Sequence, residues 1–150
     1  MKENWKALIV SVLIPLAVGT VAGLLTMGGM EQFASLNKPP LSPPAWLFPV
    51  AWTILYILMG ISSYLVYSRQ PQAITTYVYQ LVANFLWPVF FFHFGWYFFS
   101  FLWLALLWIL VAKMILEFGN VSGTAALLNV PYLLWLSFAG YLNLGVWMLN

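Results

Sequence analysis

Eight charged side chains, at positions 2, 3, 6, 31, 38, 69, 113 and 117, cut this chain of 150 residues into uncharged windows. The window from Gln70 to Ala112 constrains the fold most. Its 43 residues would run roughly 65 Å as one helix, about twice the hydrocarbon core of a bilayer, so the segment must fold back on itself. Only 5% of the residues are charged and 64% are hydrophobic, whereas a soluble domain carries roughly a quarter and about half. There is too little polar side chain to coat a surface facing water, and lipid must be the solvent for most of it. An ordinary cytosolic domain, a disordered chain and a nucleic-acid binder with a basic face are excluded. The net charge of +2 signals no acidic partner. With no cysteine there is no disulfide, thiolate metal site or cysteine nucleophile. The length allows one domain, residues 1–150.

A helix crosses a bilayer in about 20 residues. The uncharged windows predict a first span over Ala7 to Met30 and a second within Pro39 to Ser68. A turn at His93-Phe94-Gly95-Trp96 divides the long window into a third span, Thr75 to Phe92, and a fourth, Tyr97 to Leu116. The fifth covers Ser122 to Met148. The basic start before Ala7 resembles a signal peptide, but the apolar run is too long for one and more spans follow. Continuous apolar runs without alternation favour helices over barrel strands. The expected fold is an all-α membrane protein, a five-transmembrane-helix bundle with a long structured loop between helices one and two. That loop, GGMEQFASLNKPPLSPP from Gly28 to Pro44, is either a lid, anchored by Phe33 and Leu36 and stiffened by its prolines, or a rigid connector.

Five spans put the termini on opposite sides. Lys2, Lys6, Arg69 and Lys113 then share the amino-terminal side and Lys38 stands alone opposite. Lys and Arg favour the cytoplasm, which predicts a multi-pass protein of the cell membrane with the amino terminus inside and the carboxyl terminus outside.

Buried polar groups report on the bundle interior, because lipid cannot satisfy them. Gln80, Asn84, Trp87 and Phe91 share one face of the third span, at spacings of four, three and four. Trp135, Ala139 and Asn143 share a face of the fifth. Trp52, Tyr56, Gly60 and Ser63 do so on the second, and Ser11, Pro15, Gly19, Ala22 and Gly23 form the small-residue face of the first. The fourth span offers only Ser100 and reads as largely facing lipid. Two interpretations stay open: a pocket with aromatic walls and few polar points, suited to a flat, mostly apolar ligand, or amides that bond across helices as structural glue. The polar groups of the third span could equally serve a homodimer.

Catalysis has few candidates. His93 is the only histidine and lacks the partners a metal site needs. No two carboxylates share a helical face, and no triad or phosphate loop occurs. Leu65 to Arg69, and in reverse Lys113 to Val121 through Phe118, fit a loose sterol pattern that any membrane edge contains.

The stretch LNKPPLSPPAWLFPVAWTILYILMG, from Leu36 to Gly60, resembles the signature of the tryptophan-rich sensory protein and translocator protein family (TspO/MBR, the peripheral benzodiazepine receptor family). So do QLVANFLWPVFFF, from Gln80 to Phe92, and PYLLWLSFAGYLNLGVWMLN, from Pro131 to Asn150. The likeness covers nearly the whole chain in order and points to a bacterial member. It implies a five-helix bundle with a ligand pocket at the outer end, beneath the loop between helices one and two. It also implies binding of porphyrins such as protoporphyrin IX and haem, and of isoquinoline carboxamide and benzodiazepine-type ligands. Some bacterial members promote breakdown of protoporphyrin by light and oxygen, which makes Trp52 and Trp135 candidate electron donors without a dedicated catalytic site or obligatory cofactor. Trp52, Asn84, Trp135, Ala139 and Asn143 stand where the family has pocket residues. With the interior stripes, the candidate ligand-binding set is Gly19, Ala22, Gly23, Trp46, Trp52, Tyr56, Gln80, Asn84, Trp87, Phe91, Trp135, Phe138, Ala139 and Asn143. The chain departs from the animal pattern in having no Lys or Arg after Lys113, which argues against sterol binding by that route. The aromatic turn after Phe92 is also short, so family contacts from the start of the fourth helix do not carry over. The alternative is a small membrane transporter or structural module with no dedicated ligand.

Overall fold

A computed structural model of the chain describes residues 4–150, so Lys2 lies outside the described residues. All regular secondary structure among these residues is helical, with no strand. Helix α1, Trp5–Leu25, is capped by the Asn4 side chain, which accepts from the Ala7 amide at 3.1 Å. It stops short of the predicted Met30, because the Thr26 hydroxyl donates back to Ala22 O at 2.8 Å and the chain turns there into the short helix α2, Met27–Ala34. The long connection thus begins as helix. Helix α3, Leu47–Tyr67, follows, and a 3-10 turn, Pro71–Ile74, leads into α4, Thr75–Pro88. Next come a π turn, Val89–His93, and α5, Tyr97–Gly119. The fifth predicted span is broken at Asn129 into α6, Gly123–Leu128, and α7, Val130–Leu149.

Among the described residues, four helical segments are long and apolar enough to cross a membrane: Trp5–Leu25, Leu47–Tyr67, Tyr97–Gly119 and the α6–α7 unit Gly123–Leu149. The predicted third span has only 14 residues of regular α-helix. Pro88 donates no amide and crowds the carbonyl one turn back, and the helix relaxes into the π turn.

The helices alternate in direction. One end of the bundle gathers basic residues. Asn4 N donates to Tyr64 Oη at 3.1 Å, Arg69 Nη1 to Val121 O at 3.1 Å, and Lys113 pairs with Glu117 at 3.8 Å. Lys38 lies at the other end, where Asn37 N donates to Asn150 Oδ1 at 3.1 Å and Asn150 Nδ2 donates back to Asn37 O at 2.8 Å. We call these the basic end and the lid end.

The fourth predicted span, α5, is unburied over most of its surface, as expected, yet it is also well packed. It buries Ser100, Leu104, Leu107, Val111, Met114 and Phe118 in a stripe at spacings of four and three, packed against α4, α6 and α7. The stripe carries almost no polar marker, so polarity could not separate its inward face from its outward one. In α1, by contrast, only Pro15 and Ala22 are buried. It crosses α3 at Gly60, where a Cβ would come 2.5 Å from Val12 Cα and 2.6 Å from Ser11 O. Only glycine permits that approach. Phe118, the aromatic of the reversed sterol pattern, is fully buried and cannot meet membrane sterol.

Candidate ligand pocket

A cavity of about 240 Å³ opens at the lid end between α1, α3, α4 and α7. Small residues make the room: Gly19, Ala22 and Gly23 on α1 and Ala139 on α7 line it where larger side chains would fill it. Gly23 meets no heavy atom within 4 Å of where a Cβ would stand, whereas a Cβ at Gly19 would overlap the Tyr56 ring. Thus Gly23 gives open space and Gly19 gives close packing.

Aromatic rings form the walls. Trp52 stacks on Tyr56 with centroids 5.6 Å apart and meets Trp135 edge-on at 6.3 Å. Trp87 stacks on Phe91 at 5.2 Å. Phe33, from α2, spans the mouth. It lies edge-on to Phe48 of α3 at 6.4 Å and to Phe91 and Phe92 of the π turn at 5.7 and 5.4 Å. The Lys38 ammonium sits 4.9 Å from the Phe33 ring centroid. The connection to α3 is held down on α7: Tyr141 Oη donates to Pro40 O at 2.6 Å, and a Cβ at Gly145 would come 2.5 Å from the Pro39 ring.

The amides are largely spent. Tyr56 Oη donates to Asn84 Oδ1 at 2.7 Å, Asn84 Nδ2 to Tyr132 Oη at 2.7 Å, Tyr132 Oη to Gln80 Oε1 at 2.8 Å and Gln80 Nε2 to Met59 Sδ at 3.4 Å. Asn143 Oδ1 accepts from Trp87 Nε1 at 3.0 Å, and its amide donates to Tyr97 O at 2.8 Å. The glue interpretation therefore describes these three amides. Gln80 and Asn84 are 0% and 3% exposed, so neither is free to serve a dimer. Trp135 Nε1 differs: it is buried and has no hydrogen-bond partner. An apolar ligand with one acceptor would satisfy it.

Eleven of the candidate residues border this cavity: Gly19, Ala22, Gly23, Trp52, Tyr56, Asn84, Trp87, Phe91, Trp135, Ala139 and Asn143. Three do not. Trp46 is 65% exposed at the start of α3. Gln80 is bonded to Tyr132 and Met59 rather than facing the cavity. Phe138 stacks on Tyr141 at 6.2 Å outside it. Sequence reasoning gave Phe33 only as an anchor of the lid, and missed Thr26, Phe48, Pro49, Pro88, Phe92, Leu142 and Val146. Leu142 and Val146 continue the Ala139–Asn143 face at helical spacing and could have been found. Phe92 could not, because the π turn rotates it onto the cavity.

The lining offers haem iron no free ligand. Of the lining side chains only Tyr56 belongs to a type that ligates haem iron, and its hydroxyl is committed to Asn84. No cluster of three or more His, Cys, Asp or Glu occurs among the described residues.

Comparison with known proteins fits this geometry. Residues 11–148 match the TspO/MBR family. The "Tryptophan-rich protein TspO" of Chlorobaculum tepidum is 37% identical, over 90% of this chain and 90% of its own. "Protein CrtK" of Rhodobacter capsulatus is 39% identical over 79% and 78%. The bovine "Translocator protein" is 34% identical over 100% and 94%.

Proposed function

The chain belongs to the TspO/MBR family of membrane proteins, and we propose that it is a receptor for flat, aromatic, mostly apolar ligands, porphyrins first among them. In this reading it forms a five-span bundle, with residues 75–93 as the third crossing, its basic end in the cytoplasm and its lid end outside. The observation that carries the function is the unpartnered Trp135 indole N–H beside the Trp52 ring, in an apolar cavity whose other polar groups are already paired. A ligand acceptor bonds that N–H while the macrocycle lies against indole faces, each contact worth roughly 0.5–1.5 kcal/mol beyond burial. The cavity's 240 Å³ lies just under the roughly 300–1,000 Å³ of drug-sized sites. An isoquinoline carboxamide-type ligand therefore enters with little adjustment, whereas a whole porphyrin needs α2 to lift Phe33 from the mouth. Its carboxylates then stay outside, beside Lys38.

Tryptophan-quench titration with protoporphyrin IX tests the reading. Trp52→Ala with Trp135→Ala should weaken binding by about tenfold or more while the helical circular dichroism is retained. Unchanged affinity would sink the proposal. The edge-on pair Trp52–Trp135, 6.3 Å apart, also supports the second, light-dependent role, with the indoles as electron donors to the excited porphyrin. Under illumination in air, bound porphyrin should bleach more slowly when both are replaced by Phe; equal rates would remove the protein from that chemistry.

A further inference from the structure

We propose that a second cleft, at the basic end, is a binding site for one anionic glycerophospholipid. The cleft measures about 490 Å³ and shares no residue with the lid-end cavity. Its α1 wall carries Asn4 and Lys6, then Ala7, Val10 and Ile14 on one helical stripe. Ser63 and Tyr67 of α3, Ile74 of the 3-10 turn and Tyr77 of α4 complete it.

Three features point to a lipid. The first is the order of chemistry along the cleft. Lys6 stands at the mouth, at the same end as Arg69 and Lys113, and the stripe running away from it is apolar. A phosphate on a hydrocarbon tail has that polarity. The second is the direction of opening. Val10 and Ile14 are 54% and 48% exposed, on a helix apolar enough to cross a membrane, so the cleft faces lipid sideways and an acyl chain enters without leaving the bilayer. The third is Tyr77 Oη, which is buried and has no hydrogen-bond partner, on a residue only 5% exposed. Ser63 Oγ, on the same cleft, spends its proton on Gly60 O at 2.8 Å and so has none to give Tyr77. A buried hydroxyl without an acceptor is unfavourable. The ester carbonyl of a glycerophospholipid supplies such an acceptor. Lys6 thus pairs with the phosphate, Tyr77 donates to an ester carbonyl, and the chain lies along Ala7, Val10 and Ile14.

Native mass spectrometry of the full chain, released from detergent after titration with phosphatidylglycerol or phosphatidylcholine, tests this. The wild type should retain one phosphatidylglycerol with a preference of about fivefold, the factor one lysine at a membrane surface supplies. Lys6→Gln should abolish the preference. Tyr77→Phe should weaken both lipids by about threefold to tenfold, as loss of one hydrogen bond does, and keep the preference. It removes only an unpartnered hydroxyl, so the lipid-free melting temperature should not fall, and Lys6 is exposed, so both variants should fold. Equal retention of the two lipids, a preference that survives Lys6→Gln, or full affinity in Tyr77→Phe would overturn the proposal by reducing the signal to annular lipid. Displacement by millimolar inorganic phosphate would assign the cleft to a free anion and overturn it equally.

Discussion

Helices α1 and α5 have nearly the same mean hydropathy, 2.5 and 2.3, and opposite roles. Helix α5 buries a continuous six-residue stripe and borders neither cavity. Helix α1 buries two residues and borders both, one at each end. Apolar content therefore says that a helix lives in lipid, not what it does there. Large side chains interlock α5 with its neighbours. Along α1, Gly19, Ala22 and Gly23 leave space at one end, and at the other α1 bounds the cleft with α3, the 3-10 turn and α4.

The contrast breaks most severely at α5. Phe118 is fully buried, and Phe118→Ala should cost about 3–5 kcal/mol of stability, read as a large fall in melting temperature in detergent. Ile9→Ala on α1, 55% exposed, should change stability by no more than about 0.5 kcal/mol. Equal losses at the two positions would erase the distinction between a packed helix and a cavity-bordering one.

The next effect lies where α1 touches the bundle closely. Gly60→Ala places a Cβ 2.5 Å from Val12 Cα, backbone that cannot rotate away, so α1 must shift at a cost of about 1–3 kcal/mol. Because α1 borders both cavities, porphyrin and phosphatidylglycerol binding should weaken together. Loss of only one would mean that α1 moves as two segments.

These two positions also show what could be read from sequence. The inward stripes of the second, third and fifth spans were legible because each carries polar or indole groups at helical spacing, and lipid leaves such groups nowhere else to go: Trp52 and Tyr56, Asn84 and Trp87, Trp135 and Asn143. The face of α5 was illegible for the complementary reason. Leu104, Leu107 and Val111 differ from their lipid-facing neighbours in fit, not in polarity. The roles of the amides were half legible: spacing placed Asn84 and Asn143 inward but could not say that Tyr132 and Tyr97 had already claimed them. Phe33 was legible as a lid anchor but not as a cavity wall, and Phe92 not at all: their placement depends on the break at Thr26 and the π turn after Pro88, both set by backbone geometry that no residue periodicity announces.

At the mouth the expected effects are smaller. Lys38 is the only Lys or Arg of the lid end among the described residues. Lys38→Gln should lower the preference for protoporphyrin IX over its dimethyl ester by about threefold to fivefold, within the range of an exposed ion pair. Ester affinity should be unchanged. An unaltered ratio would place the carboxylates elsewhere.

The smallest and most discriminating change is Gly23→Ala. A Cβ there meets no heavy atom within 4 Å, so it creates no clash in the lipid-exposed α1. Alanine also favours the helix by roughly 0.8–1.0 kcal/mol over glycine, so the melting temperature should hold or rise slightly. The new methyl group takes its volume from the cavity that Gly23 lines. A ligand that fills the site should therefore lose affinity by about twofold to tenfold, the cost of modest overpacking, while phosphatidylglycerol retention at the opposite end stays as it was. If stability rises and porphyrin affinity is untouched, the macrocycle does not reach α1, and the cavity's small-residue wall is packing rather than recognition.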